Sequence, residues 1–493
     1  MSPQQRLAQP FGTLSELVAL HAARDPGQLA IVHDGRSLDY RTLDSIASRI
    51  AARLQREGLG HGDTLGICAA TSIEYLAMFV GALRAGLAVA LVSPALTRES
   101  VDAMLTDSGA KLTYAGGPLD EWMAEEGALA SPVEVGPGDP FNIIYSSGTT
   151  GMPKGIVQPH AMRWAHMQRG PAYGYSARSV TLISTPLYSN TTLVAVFPTL
   201  ATGGTVVLMA KFDERAYLEL AARHRVTHTM LVPVQYRRIM ACPDFARHDL
   251  SAFHMKFSTS APFAAALKAD VLRRWPGGLI EYYGMTEGGG TAVLAAHEHP
   301  DKLHTVGQPA PGHDIRVIDE AGRELPRGEK GEIVGRSGSM MTGYHNRPEA
   351  TSEAQWFDGE GRRYIRTGDI GRFDEDGFLV LLDRRKDVII SGGFNIYPSD
   401  LEAVLATHPD VAEAAVVGQP SVRWGETPYA FVTAKPGARI DCEQILAWAN
   451  ERLGRTQRIA GVHRLETLPR NTAGKVLKRE LRAQVPDDNC KNP

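Results

Sequence analysis

The stretch Tyr145-Ser146-Ser147-Gly148-Thr149-Thr150-Gly151-Met152-Pro153-Lys154-Gly155 carries the sharpest signal in this chain. It follows an apolar run at 141–144 that has the character of a buried strand. Its glycines let backbone N–H groups turn towards an anion, its hydroxyl groups add donors, and Lys154 adds a full positive charge. The stretch therefore predicts a phosphate-binding loop, although a flexible surface loop is the alternative when it is considered alone. It is not a Walker loop, because Lys154 precedes Gly155 instead of Ser or Thr.

Helical patterns alternate with short apolar runs on both sides of this loop. The predicted helices are 40–57, 73–85 and 213–224, and the predicted strands are 64–69, 88–92, 203–209 and 227–232. Strand–helix alternation is typical of α/β layers with largely parallel sheets.

The pattern changes after about residue 305. Short strands at 315–318, 331–334 and 378–382 predict a small β-rich subdomain over about 305–382. A charged run, 383–387, follows, and mixed patterns then predict helices at 400–406 and 442–453 and strands at 411–417 and 429–433. We expect an N-terminal domain over residues 1–385 and a smaller α+β domain over residues 386–493.

Composition excludes several classes of protein. The chain has 493 residues, 43% hydrophobic and 22% charged, with a net charge of −3 and a pI of about 6.6. A nucleic-acid-binding surface normally has a basic excess, so none is expected. The four scattered cysteines predict reduced thiols and no zinc site. No integral membrane segment is evident, because the most apolar stretch, 75–96, contains Arg84, glycines and a proline. No signal peptide is evident, because residues 1–10 lack an apolar core. We expect a cytoplasmic protein.

Four segments further along the chain combine residue types that nucleotide chemistry uses. Residues 282–287 (YYGMTE) offer rings for a base, a hydroxyl for a phosphate and a carboxylate for Mg²⁺, although alone a strand-end turn is the better interpretation. Residues 364–369 (YIRTGD) end in an aspartate that would accept ribose hydroxyls or only close a turn. Residues 383–395 join a charged run to Ser391-Gly392-Gly393, and the alternative interpretation is a solvated charge run followed by a hairpin. Residues 471–475 (NTAGK) would, in isolation, be a surface loop with an exposed lysine.

In order and spacing, these five segments resemble the adenylate-forming superfamily, which groups acyl-CoA synthetases, peptide-synthetase adenylation domains and beetle luciferases. The resemblance covers essentially the whole chain, with 306–309 (VGQP) and Gly343-Tyr344 with Asn346 as lesser matches. It implies a large domain that binds ATP and a carboxylic acid, and a small domain that rotates between two half-reactions. The first gives acyl-AMP and pyrophosphate with the help of Mg²⁺. The second transfers the acyl group to coenzyme A, so the implied enzyme is an AMP-forming acid–thiol ligase.

The resemblance also implies roles in nucleotide binding and catalysis. Lys475 would be the adenylation lysine, which bridges the carboxylate and the α-phosphate. Thr286 would contact the α-phosphate and Glu287 would bind Mg²⁺. Asp369 would take the ribose hydroxyls with the help of Arg384. The other expected contacts are Ser146, Ser147, Gly148, Thr149, Thr150, Gly151 and Lys154 for the β- and γ-phosphates, and Tyr283 with Gly284 at adenine.

A second group of implied roles concerns the acyl transfer. Lys386 matches the hinge position at the start of the small domain. The expected CoA channel is Ser391, Gly392 and Gly393, where backbone without side chains leaves room for pantetheine. Trp424 is a candidate for contact with the CoA nucleotide, with ordinary packing as the alternative.

The acyl pocket is implied at Tyr188, Ser189, Asn190, Thr259, Ser260, Gly288 and Gly289. Many relatives carry histidine or another aromatic residue at the position of Ser189 and glycine at that of Thr259, so this chain departs from the pattern at both. Uncharged side chains and glycines favour an aryl or medium-length acid with little charge away from its carboxylate. The matched positions offer no aspartate for an amino acid's ammonium group and no evident arginine for a second carboxylate.

Other functions stay open at this point. A freestanding adenylating enzyme would pass the acyl group to a carrier-protein thiol or an amine instead of CoA. A non-catalytic nucleotide sensor would keep the fold but would have no need of the adenylation lysine. A Walker-type ATPase or kinase is disfavoured by the loop sequence. The exact acid and the oligomeric state are open, with a homodimer as one possibility.

Overall fold

The computed structural model describes residues 1–146, 154–391, 394–421, 424–454, 457–471 and 474–485. The chain forms two compact units. Unit 1 consists of Met1–Ile315 with Gly335–Ile365, and unit 2 consists of Arg316–Val334 with Arg366–Pro493. The longer segment of unit 2 begins at Arg366, before the predicted domain boundary at residue 386. The predicted boundary marks where the chain is expected to rotate, and it stays a prediction.

Strands and helices alternate through most of the chain. The strands are β1 (Leu29–His33), β2 (Arg36–Asp39), β3 (Thr64–Ile67), β4 (Ala88–Leu91), β5 (Ala110–Tyr114), β6 (Pro140–Ser146), β7 (Lys154–Pro159), β8 (Val180–Ile183), β9 (Thr205–Leu208), β10 (His228–Leu231), β11 (Met255–Ser258), β12 (Gly278–Met285), β13 (Gly288–Ala295), β14 (Gln308–Pro309), β15 (Asp314–Ile318), β16 (Gly331–Arg336), β17 (Gly343–Tyr344), β18 (Gln355–Phe357), β19 (Arg363–Phe373), β20 (Leu379–Arg384), β21 (Ile389–Ser391), β22 (Phe394–Ile396), β23 (Val411–Ser421), β24 (Gly425–Ala434) and β25 (Gly461–Arg464). The helices are α1 (Pro3–Leu7), α2 (Leu14–Arg24), α3 (Tyr40–Arg56), α4 (Ile73–Arg84), α5 (Arg98–Asp107), α6 (His160–Gln168), α7 (Asn190–Ala201), α8 (Glu214–Arg223), α9 (Pro233–Ala241), α10 (Ala265–Arg274), α11 (Pro348–Glu353), α12 (Pro398–Ala406), α13 (Cys442–Arg452) and α14 (Lys478–Arg482).

Two large sheets in unit 1 confirm the predicted α/β class. A nine-stranded sheet has the order β14-β13-β12-β11-β10-β8-β9-β1-β2, and a six-stranded sheet has the order β17-β7-β6-β4-β3-β5. The inner strands are parallel, as predicted, while antiparallel strands lie towards the edges, β2, β13 and β14 in the larger sheet and β7 and β17 in the smaller.

The helices begin where the sequence provides a capping side chain. Asp39 accepts a hydrogen bond from the Thr42 N–H at 2.7 Å at the start of α3, and Ser72 caps α4 in the same way. Such caps satisfy N–H groups that have no partner inside the helix. The helices then pack on strands that are buried on both faces, such as β3 and β4.

The core of unit 1 joins helices to both sheets. Phe79 of α4 and Phe197 of α7 lie 5.4 Å apart between ring centroids, and Phe141 of β6 packs against both. The same buried cluster includes Leu65 of the smaller sheet and Ile183 of the larger sheet. This shared core fixes the ends of β6 and β12, where the predicted nucleotide residues lie.

Unit 2 is built around a sheet with the order β22-β21-β24-β23, with β25 added beside β24. Leu401 of α12 and Ile445 of α13 pack on Val416 and Val432 of this sheet. The end of β19 pairs with β20 in an antiparallel hairpin. The helices and strands predicted beyond residue 386 are all present, which confirms the α+β character of this part.

Two expectations about the whole chain can be compared with the structure. No helix among the described residues is long and apolar enough to cross a membrane. Cys68, Cys242 and Cys442 are free thiols. The cytoplasmic location and the homodimer stay predictions.

Candidate active site

The predicted phosphate loop joins two neighbouring strands of the six-stranded sheet. Ser146 ends β6 and pairs in register with Lys154, which begins β7. Ser147, Gly148, Thr149, Thr150 and Gly151 lie outside the described residues. The described parts therefore fix only where the loop leaves and re-enters the sheet.

Tyr344 contacts both Lys154 and Glu287, the residue expected to bind Mg²⁺. Lys154 Nζ is 5.0 Å from the ring centroid of Tyr344, whose hydroxyl donates a hydrogen bond of 2.8 Å to Glu287 Oε1. Tyr344 reaches this position because β17 pairs with β7, opposite Ile156. Burial and the charge of Glu287 raise the pKa of Tyr344, so its hydroxyl remains a donor at neutral pH.

The Thr286–Glu287 turn between β12 and β13 is held by its backbone. The carbonyl of Thr286 accepts from Gln158 Nε2 at 2.6 Å, and that of Glu287 accepts from the Met341 N–H at 2.8 Å. Gly288 follows with a φ of +82°, and a Cβ there would clash with the Ser339 carbonyl. The glycine is thus required for close packing of this turn, independently of the role expected for it in the acyl pocket.

The tyrosines before this turn point in opposite directions along β12. Tyr282 packs against Phe257, with 5.7 Å between ring centroids, so Tyr283 faces the other side of the sheet. Gly284 follows, and a Cβ there would lie 3.3 Å from Thr291 Oγ1. The role of Tyr283 and Gly284 at adenine stays a prediction.

In unit 2, Asp369 and Arg384, which the resemblance assigns to the ribose, form an ion pair. They lie opposite each other in the β19–β20 register, and Arg384 Nε is 3.1 Å from Asp369 Oδ1. The backbone N–H of Asp369 also donates to Thr367 Oγ1 at 3.1 Å. The carboxylate is therefore held in place before any ribose is bound.

Lys475 lies at the end of a tight turn in the same unit. Asn471 accepts from the Lys475 N–H at 2.9 Å, and Gly474 has a φ of +78°. Arg470 donates to the Gly474 carbonyl at 2.7 Å and so braces the turn. Lys475 lies near enough to Asp369 and Arg384 to interact electrostatically with both.

The surroundings of Lys475 set its charge. Burial, followed by the nearby charge of Arg384, lowers the pKa of Lys475 to about 8, while Asp369 opposes this shift. The lysine is therefore mostly protonated at neutral pH, as a residue that offsets phosphate charge needs to be. The structure thus brings together three residues that the sequence placed in three different motifs.

The predicted hinge and CoA residues lie further along unit 2. Lys386 is in one turn of 3₁₀ helix, Arg385–Asp387. Ser391 ends β21 and pairs with Gly425, while Gly392 and Gly393 lie outside the described residues. Trp424 is 48% exposed, and Ile390, which precedes Ser391, is 58% exposed. These two exposed apolar side chains, one on β21 and one directly before β24, fit the prediction of a CoA contact without testing it.

The predicted acyl-pocket residues lie at the start of α7 and after β11. Ser189 is the N-cap of α7 but makes no capping hydrogen bond with its side chain, and half-buried Tyr188 precedes it. Ser260, which follows Thr259, has a φ of +80°, an unfavourable conformation for a residue with a side chain. Its hydroxyl shares a 2.6 Å hydrogen bond with Thr191. A strained residue held in this way is a feature of functional sites.

Comparison with known proteins agrees with this arrangement. The AMP-binding enzyme family matches residues 18–345, and the AMP-binding enzyme C-terminal domain matches residues 400–475. This chain belongs to the adenylate-forming AMP-binding enzymes.

Relatives of this AMP-binding enzyme use different acyl acceptors. The fatty acid–[acyl-carrier-protein] ligase ScoC of Streptomyces coeruleorubidus is 33% identical, over 99% of each chain. A feruloyl-CoA synthase of Amycolatopsis sp is 34% identical, over 94% of this chain and 96% of that one. The solved amide bond synthetase McbA of Marinactinospora thermotolerans has a TM-score of 0.85 and 28% identity, over 96% of this chain and 100% of that one. The family is therefore fixed, whereas the acceptor is not.

The described residues of the AMP-binding enzyme fit the magnesium ion that its family uses. They contain no group of three or more His, Cys, Asp or Glu side chains that could hold a metal by themselves. Mg²⁺ beside a nucleotide usually takes one or two carboxylates and completes its shell with phosphate oxygens and water. Glu287 offers one such carboxylate.

Sequence reasoning missed two residues of this AMP-binding enzyme. Tyr344 was noted only as part of a motif, yet it links Lys154 to Glu287. Gln158 was not singled out, yet it supports the Thr286 carbonyl and is fully buried. A polar residue at a buried position of a strand was the available signal for Gln158.

Proposed function

We propose that this AMP-binding enzyme activates a carboxylic acid with ATP and Mg²⁺ and transfers the acyl group to the thiol of coenzyme A. The observation that carries the proposal is the position of Lys475 beside Asp369 and Arg384. Lys475, whose pKa is lowered, lies near a carboxylate suited to ribose hydroxyls, and this supports a role for the lysine at the α-phosphate.

In the first half-reaction, a carboxylate oxygen attacks the α-phosphorus and forms the acyl phosphate bond. The bond from the α-phosphorus to the bridging oxygen breaks, and pyrophosphate leaves with that electron pair. No general base is needed, because the acid is already ionised at neutral pH. Lys475 and Thr286 offset negative charge on the phosphoryl oxygens, which can lower the barrier by several kcal/mol. Lys154 and the hydroxyl-rich loop would hold the departing pyrophosphate, and Mg²⁺ held by Glu287 would supply further charge neutralisation.

In the second half-reaction, the CoA thiol loses its proton to solvent and its sulfur attacks the carbonyl carbon. The thioester C–S bond forms, the bond from the carbonyl carbon to the phosphate oxygen breaks, and AMP leaves with that electron pair. Rotation of the C-terminal domain about Lys386 would bring Ser391 and Trp424 towards the acyl-adenylate. Trp424 and Ile390 are exposed apolar side chains next to Ser391 and Gly425, and this suits contact with the CoA chain.

For the acid, we propose an aryl or medium-length acyl group. The feruloyl-CoA and fatty acid relatives support this range. A carrier-protein thiol is the main alternative acceptor because of the similarity to ScoC, and an amine is the second because of the similarity to McbA.

The proposal is tested with a panel of carboxylic acids, scored by pyrophosphate release with ATP and Mg²⁺. Acids that react are then offered CoA, an acyl carrier protein or an amine, and the products are identified by mass spectrometry. The proposal predicts pyrophosphate with at least one acid and an acyl-CoA product. Transfer only to the carrier or the amine would select the corresponding alternative, and the absence of pyrophosphate with every acid would favour a nucleotide sensor.

A further inference from the structure

Arg163, in the first turn of α6, is a fully buried arginine. Its Cζ lies 6.0 Å from the ring centroid of Phe141 and 5.6 Å from that of Phe197. Burial lowers the pKa of Arg163 to about 9, with no carboxylate of the described residues acting on it, so the side chain stays charged at neutral pH. The two rings offset only part of the cost of burying a cation without an anion.

Arg163 binds two neutral amides in place of an anion. Its Nε donates to Asn142 Oδ1 at 2.9 Å, and its Nη2 donates to Gln158 Oε1. Asn142 and Gln158 are fully buried and lie opposite each other in the β6–β7 register. Asn142 Nδ2 also donates to Gln158 Oε1 at 2.9 Å. These three residues are here called the Arg163 network.

The charge of Arg163 fixes which way both amides point. An arginine side chain can only donate, so each amide must turn its oxygen towards it and its NH2 group away. The oxygen of Gln158 thus accepts twice, and the NH2 group is the end left for the opposite side. An apolar side chain at position 163 would remove this constraint on the two amides.

The NH2 group of Gln158 holds the turn that carries the predicted catalytic residues. It donates to the Thr286 carbonyl at 2.6 Å and lies 3.4 Å from Asn190 Oδ1. Thr286 is expected at the α-phosphate, Glu287 follows it, and Asn190 is expected in the acyl pocket. One amide group therefore joins the expected nucleotide site to the expected acid site.

We propose that the residues of the Arg163 network are positioning residues for acyl-adenylate formation. The buried charge fixes the two amides, and the amide of Gln158 in turn holds Thr286 and Glu287 where attack on the α-phosphorus needs them. This inference rests on the proposed function and concerns its first half-reaction. A role in positioning explains why an arginine with no anion is kept here, since packed apolar side chains of similar volume are often at least as stable.

The test replaces the Gln158 amide and measures pyrophosphate release with an acid that reacts. Gln158→Met keeps the length of the side chain but cannot donate to the Thr286 carbonyl. We expect kcat to fall by ~10–10²-fold, because a small displacement of groups that act in the transition state is costly. KM for ATP should stay within ~3-fold, because such groups contribute less to ground-state binding. Tyr217→Phe, which removes a buried hydrogen bond of 2.8 Å to Thr229, is the control and should keep both values.

A second variant separates positioning from stability. Gln158→Glu gives Arg163 the anion that it lacks, but it places an oxygen against the Thr286 carbonyl. The Tm of this variant should therefore exceed that of Gln158→Met, while its kcat should be no higher. A kcat that follows Tm across these two variants and Tyr217→Phe would overturn the inference, because Gln158 would then act only through stability.

Arg163 should act only through Gln158. Arg163→Met is expected to lower kcat, whereas adding it to Gln158→Met should lower kcat no further, because the donor that it orients is already gone. Losses that multiply in the double variant would show that Arg163 acts by another route and would overturn the inference.

Amide hydrogen exchange over residues 283–290 gives a readout that needs no substrate. Exchange should be faster in Gln158→Met than in the wild type and unchanged in Tyr217→Phe. Faster exchange, with no pyrophosphate from any acid, would uphold the positioning of this turn and refute the proposed function. Exchange and kcat that both match the wild type in Gln158→Met would overturn the inference and leave the proposed function in place.

Discussion

At Lys475, the charge that we propose for adenylation is held close to its titration point. Burial and Arg384 lower the pKa of this lysine to about 8, so it is protonated below that pH and loses its charge above it. We expect kcat/KM for pyrophosphate release without CoA, which reports the free enzyme, to fall as the pH rises through about 8. Lys475→Arg should be slower but should show no such fall, because arginine stays protonated. An identical pH profile for both proteins would show that another group titrates.

Tyr344 is expected to act on magnesium through Glu287. Tyr344→Phe removes the 2.8 Å hydrogen bond to Glu287 but keeps the ring beside Lys154. Loss of a hydrogen bond to a metal-binding carboxylate typically weakens metal affinity by about 10–100-fold. The Mg²⁺ concentration that gives half-maximal pyrophosphate release should rise by that factor. Tyr429→Phe, in the sheet of unit 2, is the matched control and should leave this concentration unchanged.

At the scale of elements, the turn Arg385–Asp387 is braced on both sides by α14. Arg482 lies 2.7 Å from Asp387, and Lys478 Nζ lies 3.8 Å from Asp383. Lys386→Pro fixes the φ angle within this turn, so we expect adenylation to continue and thioester formation to fail. Lys386→Ala keeps the backbone free and should retain both half-reactions. Full rates of both steps in the proline variant would exclude Lys386 as the hinge.

Elements were predictable from the sequence wherever periodicity or a cap was strong. Helices α3 and α4 and strands β3 and β4 lie within two residues of their predicted ends, because their buried faces repeat regularly and Asp39 and Ser72 mark the starts. The hairpin formed by β12 and β13 was not predicted, because the run of glycines at the start of β13 is typical of a loop. The close packing around Gly288, which requires a glycine there, is visible only in the structure.

The candidate site was predictable only in part, for a physical reason. Motifs identified Glu287, Asp369, Arg384 and Lys475 as residues, but their distances depend on strand register and on pairings between distant segments. The contact from Tyr344 to Glu287 depends on the β17–β7 pairing, and the contact between Arg169 and His313 depends on where His313 folds back. Neither leaves a periodic signal in the sequence.

For the whole molecule, the proposed function requires two half-reactions. The family match covers residues 18–345 and 400–475, and Asp369, Arg384 and Lys386 lie in the segment between these matches. Both compact units contain residues that adenylation is expected to use: Lys154 and Glu287 in unit 1, and Asp369 and Lys475 in unit 2. A single substitution in unit 2 should therefore separate the two half-reactions.

The most direct measurement compares the two half-reactions in Lys475→Ala, with Lys435→Ala as the control at an exposed lysine of the same unit. Acyl-adenylate formation is followed by pyrophosphate release, and thioester formation is followed from acyl-adenylate that has been made beforehand. The account predicts a loss of roughly 10²–10³-fold or more in the first step, by analogy with removal of a transition-state donor, and a much smaller loss in the second. Equal losses in both steps, or an unchanged rate of adenylation, would contradict it.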